Sequence, residues 1–290
     1  MELLVTLRNT RNIEKILGSV DGVIIGNKFT VGFNYTLDDI TKIVRYCQRV
    51  NKKAYIVMDD FISEDDLIEL NSYLEFLSSL DVDGIYFHDL AVYDAASTFG
   101  IKNKLIYDGK TVLCNSLESA YYLSKGLNGV VISRELTKEE VLSIITSNPN
   151  RVDLQIFGHL RLSYSKRRFV SNYLKQINRP YDVAGKDNFF LREELRDYKL
   201  PVIEDENGTR VYSDYILEMY DEINTFKPYL KRGIIDTLFI SDAEVLQVVR
   251  DYRKVSRDNC SFLKERLNYN FPDKYSSGYL YLKTNITKDE

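Results

Sequence analysis

Residues Ala54 to Leu90, AYIVMDDFISEDDLIELNSYLEFLSSLDVDGIYFHDL, decide the fold. A β-branched and aromatic run, Ala54 to Met58, reads as a buried strand. Ser63 followed three residues later by Asp66 fits a helix-starting capping box. Leu67, Leu70, Leu74 and Leu77 then recur at helical spacing, which gives one apolar face. The run Gly84 to Phe87 is a second strand. The unit is therefore strand, loop, cap, helix, strand, the repeat of a parallel α/β fold.

The same unit recurs on both sides. Further short apolar runs lie at Leu3 to Leu7, Gly22 to Ile25, Lys104 to Tyr107, Gly129 to Ser133, Val152 to Phe157 and Thr237 to Ile240. Asn115 with Glu118, Thr137 with Glu140 and Ser241 with Glu244 mark further helix starts. About eight strands alternating with helices predict a (β/α)8 TIM-like barrel spanning residues 1–266. Its regularity fails between strands seven and eight, where an α+β insertion is expected at about 175–233. Within it, Pro201 to Tyr212 reads as a hairpin turning at Asn207-Gly208, followed by a helix from Ser213 to Leu230. After strand eight, Asp242 to Arg266 forms a long helical pattern, and 267–290 is a tail.

The chain has 290 residues, 44% of them hydrophobic and 28% charged, enough apolar material for a large core. The N-terminus lacks a signal-peptide h-region and no run approaches a membrane span, so a soluble cytoplasmic protein is expected. Three separated cysteines, Cys47, Cys114 and Cys260, argue for free thiols in a reducing compartment. With only His88 and His159 as imidazoles, and no zinc spacing, metal chemistry has few ligands. The net charge of −4 provides no global attraction for polyanions, so nucleic-acid contact requires a local basic patch.

That patch is in LQIFGHLRLSYSKRRFVSNYL, Leu154 to Leu174. Strand seven opens there into a loop carrying Arg161, Lys166, Arg167 and Arg168, which with His159 and Ser165 are the candidate binding residues. Barrels place anion sites after strands seven and eight, and Arg pairs bidentately with phosphate. The competing reading is a solvated loop paired with the acidic Glu204 to Glu206. Asp59 with Asp60 beyond strand three, and His88 with Asp89 beyond strand four, stand where a barrel keeps acids and bases, so Asp59, His88 and Asp89 are the catalytic candidates. The bland alternative for Asp59 and Asp60 is a pair of acids ahead of a helix. Cys114, some residues after strand five, is a nucleophile only if the barrel brings a histidine to it.

Ile156, Phe157, Gly158, Leu162, Ser165, Arg167, Arg168 and Phe169 are similar to a Val-Phe-Gly-x-x-Pro-Leu-x-x-Ser-x-Arg-Cys-Phe run of the peptidase U32 family. That collagenase-like group includes bacterial tRNA and ubiquinone hydroxylation proteins. Asp83 to Ala91, Gly233 to Ile240 and Ser277 to Thr284 resemble further family segments, the last as an extended strand near the C-terminus. The resemblance implies an iron–sulfur cluster in relatives, held by cysteines at positions that here read Arg168, Phe189 and Glu193. No cysteine lies between Asn115 and Asn259, so no cofactor is expected on this chain. Arg168 then fills a vacated cluster pocket, with Glu193 as its carboxylate partner. The implied function is a partner or tRNA-binding subunit in tRNA wobble-uridine hydroxylation, beside a cluster-bearing paralogue. The alternatives are a collagenase-like peptidase using Asp59, His88 or Cys114, and a barrel enzyme that clamps a small phosphorylated metabolite in the basic loop.

Overall fold

A computed structural model describes residues 1–32, 34–192, 194 and 197–282. Seven parallel strands follow one another around a barrel: β1 (Glu2–Leu7), β2 (Gly22–Ile25), β3 (Lys53–Met58), β4 (Gly84–Phe87), β5 (Leu105–Asp108), β6 (Gly129–Val131) and β7 (Val152–Ser165). Three strands of the insertion follow: β8 (Phe189–Arg192), β9 (Lys199–Asp205) and β10 (Gly208–Glu218). β11 (Arg232–Ile235) then closes the barrel, parallel to both β7 and β1. Among the described residues a last short strand, β12 (Tyr275–Ser276), pairs with β10. The TIM-like barrel is thus observed, with eight parallel strands around a closed ring.

The expected helices form where their caps predict them. Thr137 and Glu140 make a complete capping box, as do Ser63 and Asp66 around a short 3-10 turn. Asn115 and Ser241 each accept an amide hydrogen bond three residues on. Leu70, Leu74 and Leu77 are buried on the helix Leu67–Ser79, and join the large apolar layer between helices and barrel. Inside the barrel a second cluster, Leu4, Ile24, Tyr55, Tyr86, Ile106, Val131 and Ile234, stacks side chains from seven strands. This interior is a packed core. No helix among the described residues is long and apolar enough to cross a membrane.

Below that core, at the start of the strands, Arg232 is buried on β11. It donates to Asp153 at 2.8 Å and to the Tyr55 hydroxyl at 3.2 Å, while the Tyr86 hydroxyl donates to Asp153 at 2.8 Å. The guanidinium also lies 5.0 Å over the Tyr55 ring. An ion pair this deep persists because each charge is held by several partners.

Four expectations are corrected. Strand eight is Arg232–Ile235, and Thr237 to Ile240 lies in the turn beyond it, where Thr237 and Thr6 hydrogen-bond to each other. Ser213 to Leu230 is no continuous helix: β10 runs to Glu218, and only Ile223–Phe226 is helical. β10 is buried on most of its length, with the polar Arg210, Ser213 and Glu218 buried beside Ile216 and Leu217, so its sequence lacks the alternation of a half-exposed strand. The pattern Asp242 to Arg266 splits into helices Asp242–Lys254 and Cys260–Asn270. The tail docks two residues earlier than expected: Tyr275 and Ser276 form the strand, and Leu280 is buried, whereas Lys283 and Thr284 lie outside the described residues.

The hairpin forms with its turn one residue earlier than expected, at Glu206 and Asn207, and Gly208 at φ +121° pairs with Asp205 across it. β7 is longer than the sequence suggested. It runs 14 residues, its first half in the barrel wall and its second half antiparallel to β10 above the rim. The change of partner occurs at Gly158, φ +111°, where an added Cβ would lie 2.3 Å from the Asp236 carbonyl oxygen. Gly158→Ala therefore meets both backbone strain and overlap, and is expected to cost about 3 kcal/mol in urea unfolding. A loss below about 0.5 kcal/mol contradicts this account of the switch.

Candidate functional site

The C-terminal ends of the strands converge on a cluster of buried charges. Asp59 follows β3, Asp108 ends β5, Lys110 follows in the next turn, Arg134 lies beyond β6 and Asp236 beyond β11. Above them the insertion contributes Arg161 from the outer half of β7, and Arg210 and Tyr212 from β10. A cavity of about 80 Å³ sits among Thr6, Asp59, Asp108, Lys110, Arg134 and Asp236, the end of a barrel where such enzymes keep their chemistry.

Asp59 is the hub. It accepts from Arg161 Nη1 at 2.9 Å and from Lys110 Nζ at 3.2 Å, and Arg210 Nη2 lies 3.7 Å away. Burial alone would push its carboxyl up, but the charges of Arg210, Lys110 and Arg161 outweigh burial and hold it well below the usual carboxylate range. Asp108 is held down in the same way, with Lys110 and Arg134 overcoming burial. Two other acids go the opposite way. Burial raises Asp60, which accepts from the Tyr164 hydroxyl, and burial raises Asp236 against weaker support from the Leu238 amide and Arg134. The mouth therefore holds carboxylates that their surroundings shift in opposite directions.

An aromatic lip borders this cluster. Phe61, 43% exposed, lies between Tyr164 at 5.0 Å and His88 at 4.9 Å between ring centroids. Arg210 stacks on the other side, 4.9 Å from the Tyr164 ring.

The structure brings Asp59 and Arg161 together and separates most other candidates. His88 contacts the Asp108 carbonyl oxygen through Nδ1 at 3.0 Å, and burial lowers its pKa. Asp89 gives its two oxygens to the Ile62 and Ala91 amides, as a helix cap, and so does not orient His88. His159 is buried, with Nδ1 against the Ser213 carbonyl oxygen at 2.8 Å and its ring edge-on to Phe239. Ser165 accepts the Arg167 amide and shapes the turn, while Lys166 lies 3.4 Å from Asp66.

The basic loop thus divides. Arg161 belongs to a strand and points into the mouth, whereas Lys166, Arg167 and Arg168 are exposed where helix Phe169–Gln176 begins. The phosphate clamp expected from Arg161 with Arg168 is not assembled. Nor does exposed Arg168 fill a vacated pocket, and its expected partner Glu193 lies outside the described residues. Glu204, expected to face the basic loop, is buried, and accepts from the amides of Val170 and Ser171 and the hydroxyl of Thr209. Cys114 is not set up as a nucleophile either. Cys114 contacts the Thr111 carbonyl at 3.1 Å, and burial with nearby Glu118, Glu135 and Glu140 raises its thiol pKa, the reverse of an activated nucleophile.

Sequence reasoning missed Asp108, Lys110, Arg134, Arg210 and Asp236. Asp108 carried a usable signal, an acid closing the strand Leu105–Asp108 at the catalytic end of a barrel. Arg210 carried none, because its partners lie 150 residues earlier in the chain.

Residues 20–290 match the model of peptidase family U32. The chain belongs to that family. It is 27% identical over 264 residues to a protein of Bacillus subtilis named tRNA hydroxylation protein P2, which covers 87% of this chain and 84% of the relative. It is 23% identical over 171 residues to tRNA hydroxylation protein P1 of the same organism, covering 56% of this chain and 40% of the relative. A collagenase of Porphyromonas gingivalis is 21% identical over 149 residues, covering 48% and 35%.

The cluster that the family resemblance implies does not fit these residues. Its ligand positions present a guanidinium at Arg168 and a phenyl ring at Phe189, neither a donor to iron. Cys47 is buried on helix Leu37–Arg49, its thiol pushed up to about 12 by burial, while Cys114 lies in the loop ahead of helix Ser116–Ser124 and Cys260 starts helix Cys260–Asn270.

Two measurements test the hub. Asp59→Asn leaves Arg161, Arg210 and Lys110 without their shared anion and is expected to cost about 3–5 kcal/mol in denaturant unfolding at pH 7. A carboxyl depressed on folding adds stability above its unfolded pKa of ~3.9 that is lost as pH falls. Wild-type stability should therefore fall from about pH 4 toward pH 2, and that of Asp59→Asn should fall less steeply. Equal slopes would show that Asp59 is not held as an anion.

Proposed function

We propose that this protein is a cluster-less subunit in the hydroxylation of tRNA wobble uridine, acting beside a cluster-bearing member of the same family. One observation carries the reading. A chain matching family U32 over residues 20–290, and similar over 87% of its length to a protein named for tRNA hydroxylation, has Arg168 and Phe189 where thiolates would sit. That two Bacillus subtilis relatives carry the names P1 and P2 supports a two-component system.

In this reading the chain contributes binding and leaves redox chemistry to its partner. The charged mouth supplies positioned hydrogen-bond donors, Lys110 and Arg134, beside a small cavity. The exposed cations Lys166, Arg167 and Arg168 offer phosphate contacts, each of which adds salt-dependent affinity. A tRNA substrate places the protein in the cytoplasm.

The test is mass spectrometry of tRNA nucleosides from a strain lacking the gene, complemented with wild type, Asp59→Asn or Arg168→Ala. Hydroxylated wobble uridine should disappear on deletion and return with wild type. Arg168→Ala should restore only part of it. An unchanged nucleoside profile in the deletion strain, or a purified protein that fails to associate with a cluster-bearing family member, overturns the proposal.

A further inference from the structure

Between the end of β7 and the end of β8, residues 166–192, the chain carries seven Lys and Arg against two Asp, a net charge of +5 in a protein whose total is −4. One of those two acids, Asp187, is paired with Arg8 at 2.9 Å. The segment is therefore a local cationic surface on an otherwise acidic molecule.

It is also unusually apolar for a surface. Helix Phe169–Gln176 buries none of its residues. Its first turn is fixed from below, since the Phe169 amide donates to Thr209 and the next two amides to Glu204. What it turns outward is a stripe at four-residue spacing: Phe169, Tyr173 and, one turn beyond, Ile177, exposed by 53%, 60% and 41%. Side chains so spaced stand one above another on one face, about 5–6 Å apart. Tyr181 and Phe190 are exposed on the same insertion, and the Tyr181 ring lies 6.0 Å from Phe189 on β8, with Lys186 Nζ 4.0 Å over it.

An aromatic stripe among cations on a solvated helix marks an interaction surface, and the likeness over 87% of this chain to a protein named for tRNA hydroxylation favours RNA over a lipid or an acidic protein as its occupant. Unpaired nucleobases require both: π-faces on which to stack, and cations along the connecting phosphates. We propose that the surface formed by Phe169 and Tyr173 with the preceding Arg167 and Arg168 binds single-stranded RNA, with Phe169 and Tyr173 stacking successive unpaired bases and the basic side chains tracking the backbone. This inference rests on the tRNA reading above and specifies the form of RNA taken, an unpaired loop and not a helix.

The test uses the full-length protein and a fluorescein-labelled 12-nucleotide single-stranded RNA, followed by anisotropy across a salt series, with the same RNA annealed to its complement for comparison. Wild type should bind the single strand at least tenfold more tightly than the duplex. Phe169→Ala/Tyr173→Ala should lose tenfold or more in affinity while keeping the wild-type salt slope. Arg167→Ala/Arg168→Ala should weaken binding with a shallower salt slope. All four side chains are exposed, so melting temperatures should match wild type. Aromatic variants that bind as wild type, or equal affinity for strand and duplex, overturn the inference; so do variants that keep RNA binding but lose a protein partner. If deletion leaves tRNA hydroxylation intact while these variants lose RNA, the hydroxylation reading fails and this surface stands.

Discussion

The Asp59 carboxylate is the constraint on which the upper half of this structure depends. It sits at the end of β3 and holds Arg161 from β7, Lys110 from beyond β5 and, at longer range, Arg210 from β10. Arg210 is 1% exposed, and a guanidinium cannot remain that deep without an anion, since removing a buried charge's partner typically costs several kcal/mol. The insertion is thus not a loosely attached excursion between two strands. Its sheet is an outward continuation of the barrel wall, clamped across the rim by ion pairs.

The two ends of the barrel use charge differently. At the lower end, Arg232 and Asp153 form a closed set with Tyr55 and Tyr86, and the surrounding residues leave little reason for a ligand to enter. At the upper end the charges surround a cavity, and the acids there split into depressed and raised pKa values. Environments that drive neighbouring carboxyls apart are a mark of sites built for binding or proton handling more than for stability. The lower set is closed on itself, whereas the upper one both clamps the insertion and lines a cavity.

Much of this architecture was legible because strand and helix periods differ. The segment Ala54 to Leu90 switches from a β-branched run to a four-residue leucine repeat and back, and each element formed within a residue or two of its expected bounds. Legibility failed where both faces of a strand are covered. Ile216, Leu217 and Met219 on and after β10 are all buried, so the run Ser213 to Leu230 lost its alternation and read as a helix. It failed again at β11, where Arg232 inside a strand masked the start, although Gly233 to Ile235 was apolar. The family segment at Gly233 correctly marked the neighbourhood but not the register. At the mouth, Asp59 and Arg161 were individually visible, while their pairing depended on a chain separation of 102 residues that no local pattern encodes.

Arg168 is an exposed charge that the fold does not use. It stands at the start of helix Phe169–Gln176, where a cation faces the positive end of the helix dipole and gains nothing from it. Glu204 offsets that field: its carboxylate takes the Val170 and Ser171 amides, and those hydrogen bonds overcome burial to hold its pKa down. The helix start is therefore already neutralised from inside, and the exposed guanidinium is not needed to stabilise it. Together with Lys166 and Arg167, it forms an outward cationic edge that is contiguous in sequence with the Phe169 and Tyr173 stripe. On the proposed reading, this is the edge along which the phosphates of an RNA would run.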